Sequence, residues 1–170
     1  CKNETGYRNL SYMVSQAYIE GFYIKPRIDL NLLREHSEGL IALSACLAGE
    51  IPKRLLNGDY AGAKEYALTM RDIFGEEDFY LELQDHGIAE QTEVNRGLLR
   101  LHNETGIPLV CTNDAHYLRK EDAESHDVLL CIQTGKTVDD ENRMRYEPRN
   151  FYLRSTEEME ELFSAYPDAV

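Results

Sequence analysis

Apolar residues recur along the chain at spacings that predict several amphipathic helices. Near the start they recur every three to four positions, which predicts one helix that ends close to Gly21. Ser155 and Glu158 form a capping box, which predicts a last helix that ends near Phe163. A helix at 60–74 is predicted to end before Gly75, the composition of 90–102 predicts another, and a further helix is predicted at 121–132.

Three short apolar runs between these helices predict buried strands, at 40–43, 79–83 and 107–112. Alternation of strands and helices is typical of an α/β fold, because helices of this length supply the crossovers that parallel strands require. Three strands cannot close a barrel. The pattern therefore leaves two architectures open, a small open sheet or the second half of a larger barrel.

Composition narrows the class of protein. The chain has 170 residues with 18 Lys and Arg against 31 Asp and Glu, a net charge of -13. This excess of acidic residues argues against a broad surface that binds the phosphate backbone of a nucleic acid.

No apolar run approaches the roughly 20 residues of a membrane span, and no secretory signal opens the chain. The four cysteines lack a C-x-x-C pair, which excludes a zinc ribbon. We therefore predict a cytoplasmic protein with reduced thiols, and we expect a chain that begins at Cys1 to be part of a longer one.

Polar side chains follow the carboxyl end of each predicted strand. Cys46 follows the first strand, Glu82 lies in the second with His86 just beyond it, and the third leads to Asp114 and His116. In parallel α/β folds, functional groups collect at this edge of the sheet. The sequence therefore predicts a site built from these strand ends.

Asp114 and His116 are the most informative pair. Residues two apart in an extended segment point the same way, and a carboxylate with an imidazole suits a divalent metal that activates water or polarises a phosphoryl oxygen. The Cys46 thiolate would suit zinc. The alternatives are that Asp114 caps a turn, that His116 makes an ordinary hydrogen bond and that Cys46 is a small buried hydrophobe. Glu82 and His86 either line the pocket rim or pair with surface neighbours.

A polar, irregular stretch at 134–154 carries a cluster of basic and aromatic residues. Such a cluster could contact a nucleic acid or another domain. Given the acidic background, the interpretation that we favour is a solvated connector. The residues are Arg143, Arg145, Arg149, Arg154, Tyr146, Phe151 and Tyr152.

Several sequence blocks carry a family resemblance. They run in order over essentially the whole chain, at 2–10, 43–50, 80–87, 112–118 and 126–135. They resemble the alpha subunits of bacterial replicative DNA polymerase III, in their polymerase-and-histidinol-phosphatase (PHP) domain. The resemblance implies that residues 1–154 are the C-terminal part of a PHP domain and that 155–170 begin the connection to the polymerase domain. It implies part of a distorted seven-stranded β/α barrel, with the N-terminal strands missing.

The resemblance also implies a metal site. Cys46, Asp114 and His116 match metal-ligand positions of the family, whereas no ligand role is carried onto Glu82 or His86. The implied metals are zinc or manganese at this site and magnesium for the polymerase. The family's H-x-H motif and its polymerase carboxylates are expected outside this chain, so no catalytic residue is assigned here.

Three functions follow from the resemblance. The first is template-directed DNA synthesis by the parent protein, with the PHP domain as a metal-dependent 3′–5′ proofreading nuclease. The second is a non-catalytic scaffold that docks a proofreading subunit, and the third is a stand-alone PHP phosphoesterase. The implied partners are DNA, dNTPs, a proofreading subunit and a sliding clamp, with no membrane. The chain alone is expected to be inactive.

Overall fold

Seven α-helices and three β-strands make up the structure, a computed structural model that describes all residues 1–170. The helices are α1 (Glu4–Ile19), α2 (Leu30–Glu35), α3 (Glu50–Leu56), α4 (Tyr60–Phe74), α5 (Ala89–Thr105), α6 (Ala123–Thr134) and α7 (Thr156–Leu162). The strands are β1 (Ala42–Leu43), β2 (Phe79–Leu83) and β3 (Leu109–Cys111), and 3₁₀ helices lie at Lys120–Asp122 and Pro167–Ala169. Every predicted helix and strand is therefore present.

Side-chain caps explain where several helices begin. The Asn3 side chain accepts the Gly6 N–H at 3.0 Å at the start of α1. The predicted capping box of α7 is confirmed, with Ser155 and Glu158 each bonding the other's backbone N–H. The sequence analysis missed α2 and α3, because helices of six and seven residues are too short to show a helical period.

The sheet is parallel throughout, in the order β1-β2-β3. The predicted parallel α/β arrangement is therefore confirmed. β2 lies at the centre, where Leu81 pairs with Leu109 and Leu83 with Cys111. β1 is an edge strand of two residues, shorter than the predicted run at 40–43. Three strands do not form a barrel, so barrel closure stays a prediction.

The core lies on one face of β2. Leu81 and Leu83 are fully buried and belong to the same apolar cluster as Leu98 of α5 and Ala67 of α4. Tyr80 and Glu82 alternate with the buried leucines and are only half-buried. The sheet therefore has one face packed against helices and a second face that this chain covers incompletely.

The last sixteen residues also pack on this core. Phe163, just after α7, is buried within the apolar cluster, and the C-terminal 3₁₀ helix contacts β3. The domain boundary after residue 154 stays a prediction. No helix of the structure combines the length and apolar character that crossing a membrane demands.

We predict that this chain, expressed alone, self-associates through the free edge of β1. That edge has no strand partner, and the side chains of Ile41 and Leu43 are 48% and 41% exposed. An unpaired apolar strand edge is a template for pairing with other chains. Ile41→Lys should shift the isolated chain toward monomer in light scattering coupled to size exclusion. The matched variant Leu118→Lys, at an exposed leucine outside the sheet, should not. A wild-type monomer with a sharp cooperative melt would contradict this prediction.

Candidate functional site at the carboxyl ends of the strands

The loop that follows β1 is a tight turn that presents Cys46. The Glu82 N–H donates to the Ser44 hydroxyl at 2.8 Å, and the Gly49 N–H donates to the Cys46 carbonyl at 2.8 Å. A Cβ on Gly49 would lie 2.4 Å from the Ser44 carbonyl oxygen, so only glycine fits there. Ala45 adopts a positive φ of 66°. Cys46 is left half-buried beside a cavity.

Asp114 and His116 face each other after β3, as their spacing predicts. His116 Nε2 lies 3.3 Å from Asp114 Oδ1, and both side chains are partly exposed. The backbone N–H of His116 donates to the Phe151 carbonyl at 2.7 Å, which holds the extended segment in place. The pair is thus a carboxylate and an imidazole on one side of one segment.

Cys46 and Asp114 line the same cavity, which has a volume of about 320 Å³. His116 does not line this cavity itself but contacts three residues that do, Asp114, Tyr146 and Phe151. No three His, Cys, Asp or Glu side chains lie close enough together to hold a metal ion. The structure therefore brings the three predicted ligands to one region without assembling them into a metal centre.

Both carboxylate oxygens of Glu82 accept hydrogen bonds from neighbouring residues. Its carboxylate accepts the Ala45 N–H at 3.1 Å, the Gln84 side-chain N–H at 3.0 Å and the Thr112 hydroxyl. It lines a much smaller cavity, which Cys46 and Gln84 also line. The Gln84 Oε1 atom is buried and has no hydrogen-bond partner.

His86 is fully buried, so the alternative of a surface pairing is wrong. It contacts two residues that line the 320 Å³ cavity, Gln91 and Phe151. Gln91 Oε1 accepts the His86 backbone N–H at 2.8 Å, so the Gln91 Nε2 group donates to His86 Nδ1 at 3.1 Å. The ring is therefore neutral with its proton on Nε2, an atom that has no partner. Burial lowers the pKa of His86.

Residues 143–154, which we call the strap, pack over these strand ends. Arg143 forms a two-pronged pair with Asp127 of α6, with Nη2 to Oδ2 at 2.7 Å. The Phe151 ring is buried and stacks on His86 with centroids 4.4 Å apart. Tyr146 lies 4.6 Å from the His116 ring. The interpretation of this stretch as a solvated connector is therefore wrong.

Hydrogen bonds hold the C-terminal half of the strap against β3. The Asn113 side chain donates to the Tyr152 carbonyl at 2.9 Å, and Arg154 donates to Asn113 Oδ1 at 2.9 Å. The Asn150 side chain donates to the His86 carbonyl at 3.3 Å. The sequence signal for this packing was the presence of large aromatic residues within a polar stretch.

We predict that the His86 side chain makes the protein less stable as the pH falls below about 6.5. Because burial lowers the pKa of His86 in the folded state, the unfolded chain binds a proton first as the pH falls through about 6.5. The free energy of unfolding should therefore decrease below that pH. His86→Asn should reduce this decrease in urea unfolding at pH 7.5 and 5.5. The same replacement at His36, which contacts α1, should leave the decrease intact. An unchanged decrease in His86→Asn would contradict the assignment.

Comparison with known proteins shows the family of this chain. The PHP domain family matches residues 1–86. The chain is 50% identical over 169 residues to the DNA polymerase III subunit alpha of Treponema pallidum, covering 99% of this chain and 14% of that protein. It is 48% identical to the subunits of Borreliella burgdorferi over 169 residues and of Thermus aquaticus over 158. These alignments cover 99% and 93% of this chain but only 15% and 13% of those proteins. Because the PHP domain model matches half of its residues, the chain belongs to the PHP domain family.

Proposed function

We propose that this chain is part of the alpha subunit of a bacterial replicative DNA polymerase, an enzyme that adds nucleotides to a primer. The identity of 50% along nearly the whole chain supports this proposal. The polymerase site, with its magnesium, DNA and dNTPs, would then lie outside these residues. Its proofreading subunit and sliding clamp would be partners of the parent protein, and the cytoplasm its location. The chain alone would carry neither polymerase nor robust phosphoesterase activity.

Within that subunit, the PHP region would act as a metal-dependent 3′–5′ proofreading nuclease. The observation that carries this proposal is the Asp114–His116 pair beside a cavity that Cys46 also lines. Thiolate, carboxylate and imidazole suit zinc, and a carboxylate with an imidazole also suits manganese. Gln84 Oε1 adds a buried acceptor without a partner at the same cavity.

Cys46, Asp114 and His116 supply only part of a ligand set, since no group of three ligands is assembled here. The remaining ligands would come from other residues of the parent polypeptide. The same residues would add the missing barrel strands along the free edge of β1 and over the face of β2 that carries Glu82. Barrel closure and completion of the metal site would thus be one event.

A bound metal would supply an activated water and would polarise the phosphoryl oxygen. The chain's own contribution is to hold the ion, exclude bulk water and orient the phosphate. Phe151 and Tyr146 of the strap line the cavity and close one side of it with apolar rings. Arg145 is the only Lys or Arg that lines this cavity.

Arg145 is also the one arginine of the strap without a polar partner. Arg143 pairs with Asp127, Arg149 with Glu124 and Arg154 with Asn113, whereas Arg145 forms no salt bridge and no side-chain hydrogen bond. A guanidinium without a partner beside metal-ligand residues suits a phosphoryl oxygen, which it binds with two parallel N–H groups. We therefore assign substrate binding to Arg145.

We predict that Arg145→Ala weakens phosphodiester binding in the full-length protein. Loss of one charge-assisted hydrogen bond, worth about 1.5–3 kcal/mol, should raise KM for bis(p-nitrophenyl) phosphate by roughly 10-fold or more. Arg149→Ala is the matched control, since it removes an exposed strap arginine that pairs at 3.8 Å with Glu124. Equal KM values for the two variants would contradict the role of Arg145.

The non-catalytic scaffold is the second candidate function. The observation in its favour is that Cys46, Asp114 and His116 are not assembled into a metal centre. The third hypothesis, a stand-alone phosphoesterase, has no observation in its favour. The relatives that match 99% of this chain are far longer, since the chain spans only 14–15% of the first of them.

Bound metal distinguishes the nuclease from the scaffold. We predict stoichiometric zinc or manganese per chain in the full-length protein, measured by elemental analysis after exhaustive dialysis. His116→Ala and Cys46→Ser should each lower that content at this site. His36→Ala, at a histidine that contacts Tyr12 and Asn9, should not. Absence of metal from the wild-type protein would favour the scaffold.

A further inference from the structure

The Glu82 carboxylate connects the carboxyl ends of all three strands. Glu82 lies in the central strand, and its two oxygens accept hydrogen bonds from residues that follow both neighbouring strands. Oε2 accepts the backbone N–H of Ala45, which follows β1, at 3.1 Å. Oε1 accepts the hydroxyl of Thr112, which follows β3. No other carboxylate in the structure joins these two loops.

On the side of β1, the contact holds an unfavourable backbone conformation. Ala45 has a φ of 66°, in the left-handed region that residues with a Cβ rarely adopt. Such a conformation persists only where surrounding contacts maintain it. The Ala45 N–H to Glu82 bond is such a contact, and the next residue in the chain is Cys46. Glu82 thereby holds the backbone immediately before Cys46.

On the side of β3, the contact is part of a small network. The Gln84 side chain donates to Glu82 Oε1 at 3.0 Å and to the Thr112 hydroxyl oxygen at 3.3 Å. The Thr112 N–H also donates to the Leu83 carbonyl at 3.0 Å, which extends the β2–β3 ladder. Asp114 follows two residues later. The same carboxylate therefore bonds residues close to both proposed ligands, Cys46 and Asp114.

The partners of Glu82 are all neutral donors. It forms no salt bridge, and the N–H and O–H groups that it binds occupy both oxygens. Hydrogen bonds to an ionised acceptor are stronger than those between neutral groups. This arrangement differs from that of a metal ligand, which would present a free oxygen to the ion.

We propose that Glu82 is a positioning residue that sets the spacing between Cys46 and Asp114. This inference rests on the proposed metal site, because a shared ion requires its ligands at defined separations. Groups that orient metal ligands typically change metal affinity by about 10–100-fold when they are removed.

The test compares two variants in the full-length protein. Glu82→Leu removes the acceptors at similar volume. Glu82→Gln keeps a carbonyl oxygen for the Ala45 N–H, and its amide can donate to the Thr112 hydroxyl oxygen and, once the Gln84 amide turns over, to Gln84 Oε1. Glu90→Leu is the matched control, at an exposed glutamate in the first turn of α5. The first measurement is hydrogen–deuterium exchange of peptides that cover 44–49 in metal-free protein. The second is Co²⁺ affinity, read from the cobalt–thiolate absorption band that only a cysteine ligand produces.

In Glu82→Leu we expect faster exchange at 44–49 and Co²⁺ affinity lower by about 10–100-fold, with most of the affinity kept in Glu82→Gln. Glu90→Leu should match wild type in both. Exchange and affinity in Glu82→Leu equal to those of Glu90→Leu would overturn the proposal. So would equal acceleration across β2 and α5, which indicates general destabilisation. If wild type shows no cobalt–thiolate band, the proposed metal site fails, and exchange at 44–49 alone decides whether Glu82 positions the loop.

Discussion

Parallel pairing of β2 with a strand on each side is the constraint on which the rest of the structure depends. Because all three strands run the same way, their carboxyl ends meet at one edge, and the loops that follow them meet there too. Cys46 and Asp114, which are 68 positions apart in the sequence, thereby line one cavity. The buried leucines of β2 keep the strand in register, and Glu82, which alternates with them, is left facing the site.

The strap covers the carboxyl ends of the strands and buries His86 there. The stack of Phe151 on His86 and the Arg143–Asp127 pair attach a segment without regular structure to the sheet and to α6. A neutral imidazole can be buried there because Gln91 satisfies its Nδ1 and its backbone N–H together. The strap in turn contributes Arg145 and Tyr146 to the cavity wall. An irregular segment thus supplies chemical groups that the three strands alone do not.

Local patterns were sufficient to predict most of the fold. The predicted limits 79–83 and 60–74 match β2 and α4. They could be predicted because the pattern of apolar and polar residues that defines a strand or a helix lies within the segment itself. The rule that functional groups follow parallel strands correctly brought Cys46 and Asp114 to one cavity. The packing of the strap could not be predicted in this way, since the Phe151–His86 contact joins residues far apart in sequence. The burial of His86 was missed for the same reason, and the ligand roles stay predictions.

The central claim is that these strand ends form part of a metal site in a longer polymerase subunit. Anomalous X-ray scattering from crystals of the full-length protein, recorded above and below the zinc or manganese absorption edge, tests it most directly. The account predicts a peak within coordination distance of the Cys46 thiol, the Asp114 carboxylate and the His116 imidazole, about 2.0–2.3 Å for zinc. Peaks confined to other parts of the protein, or no peak at all, would contradict it.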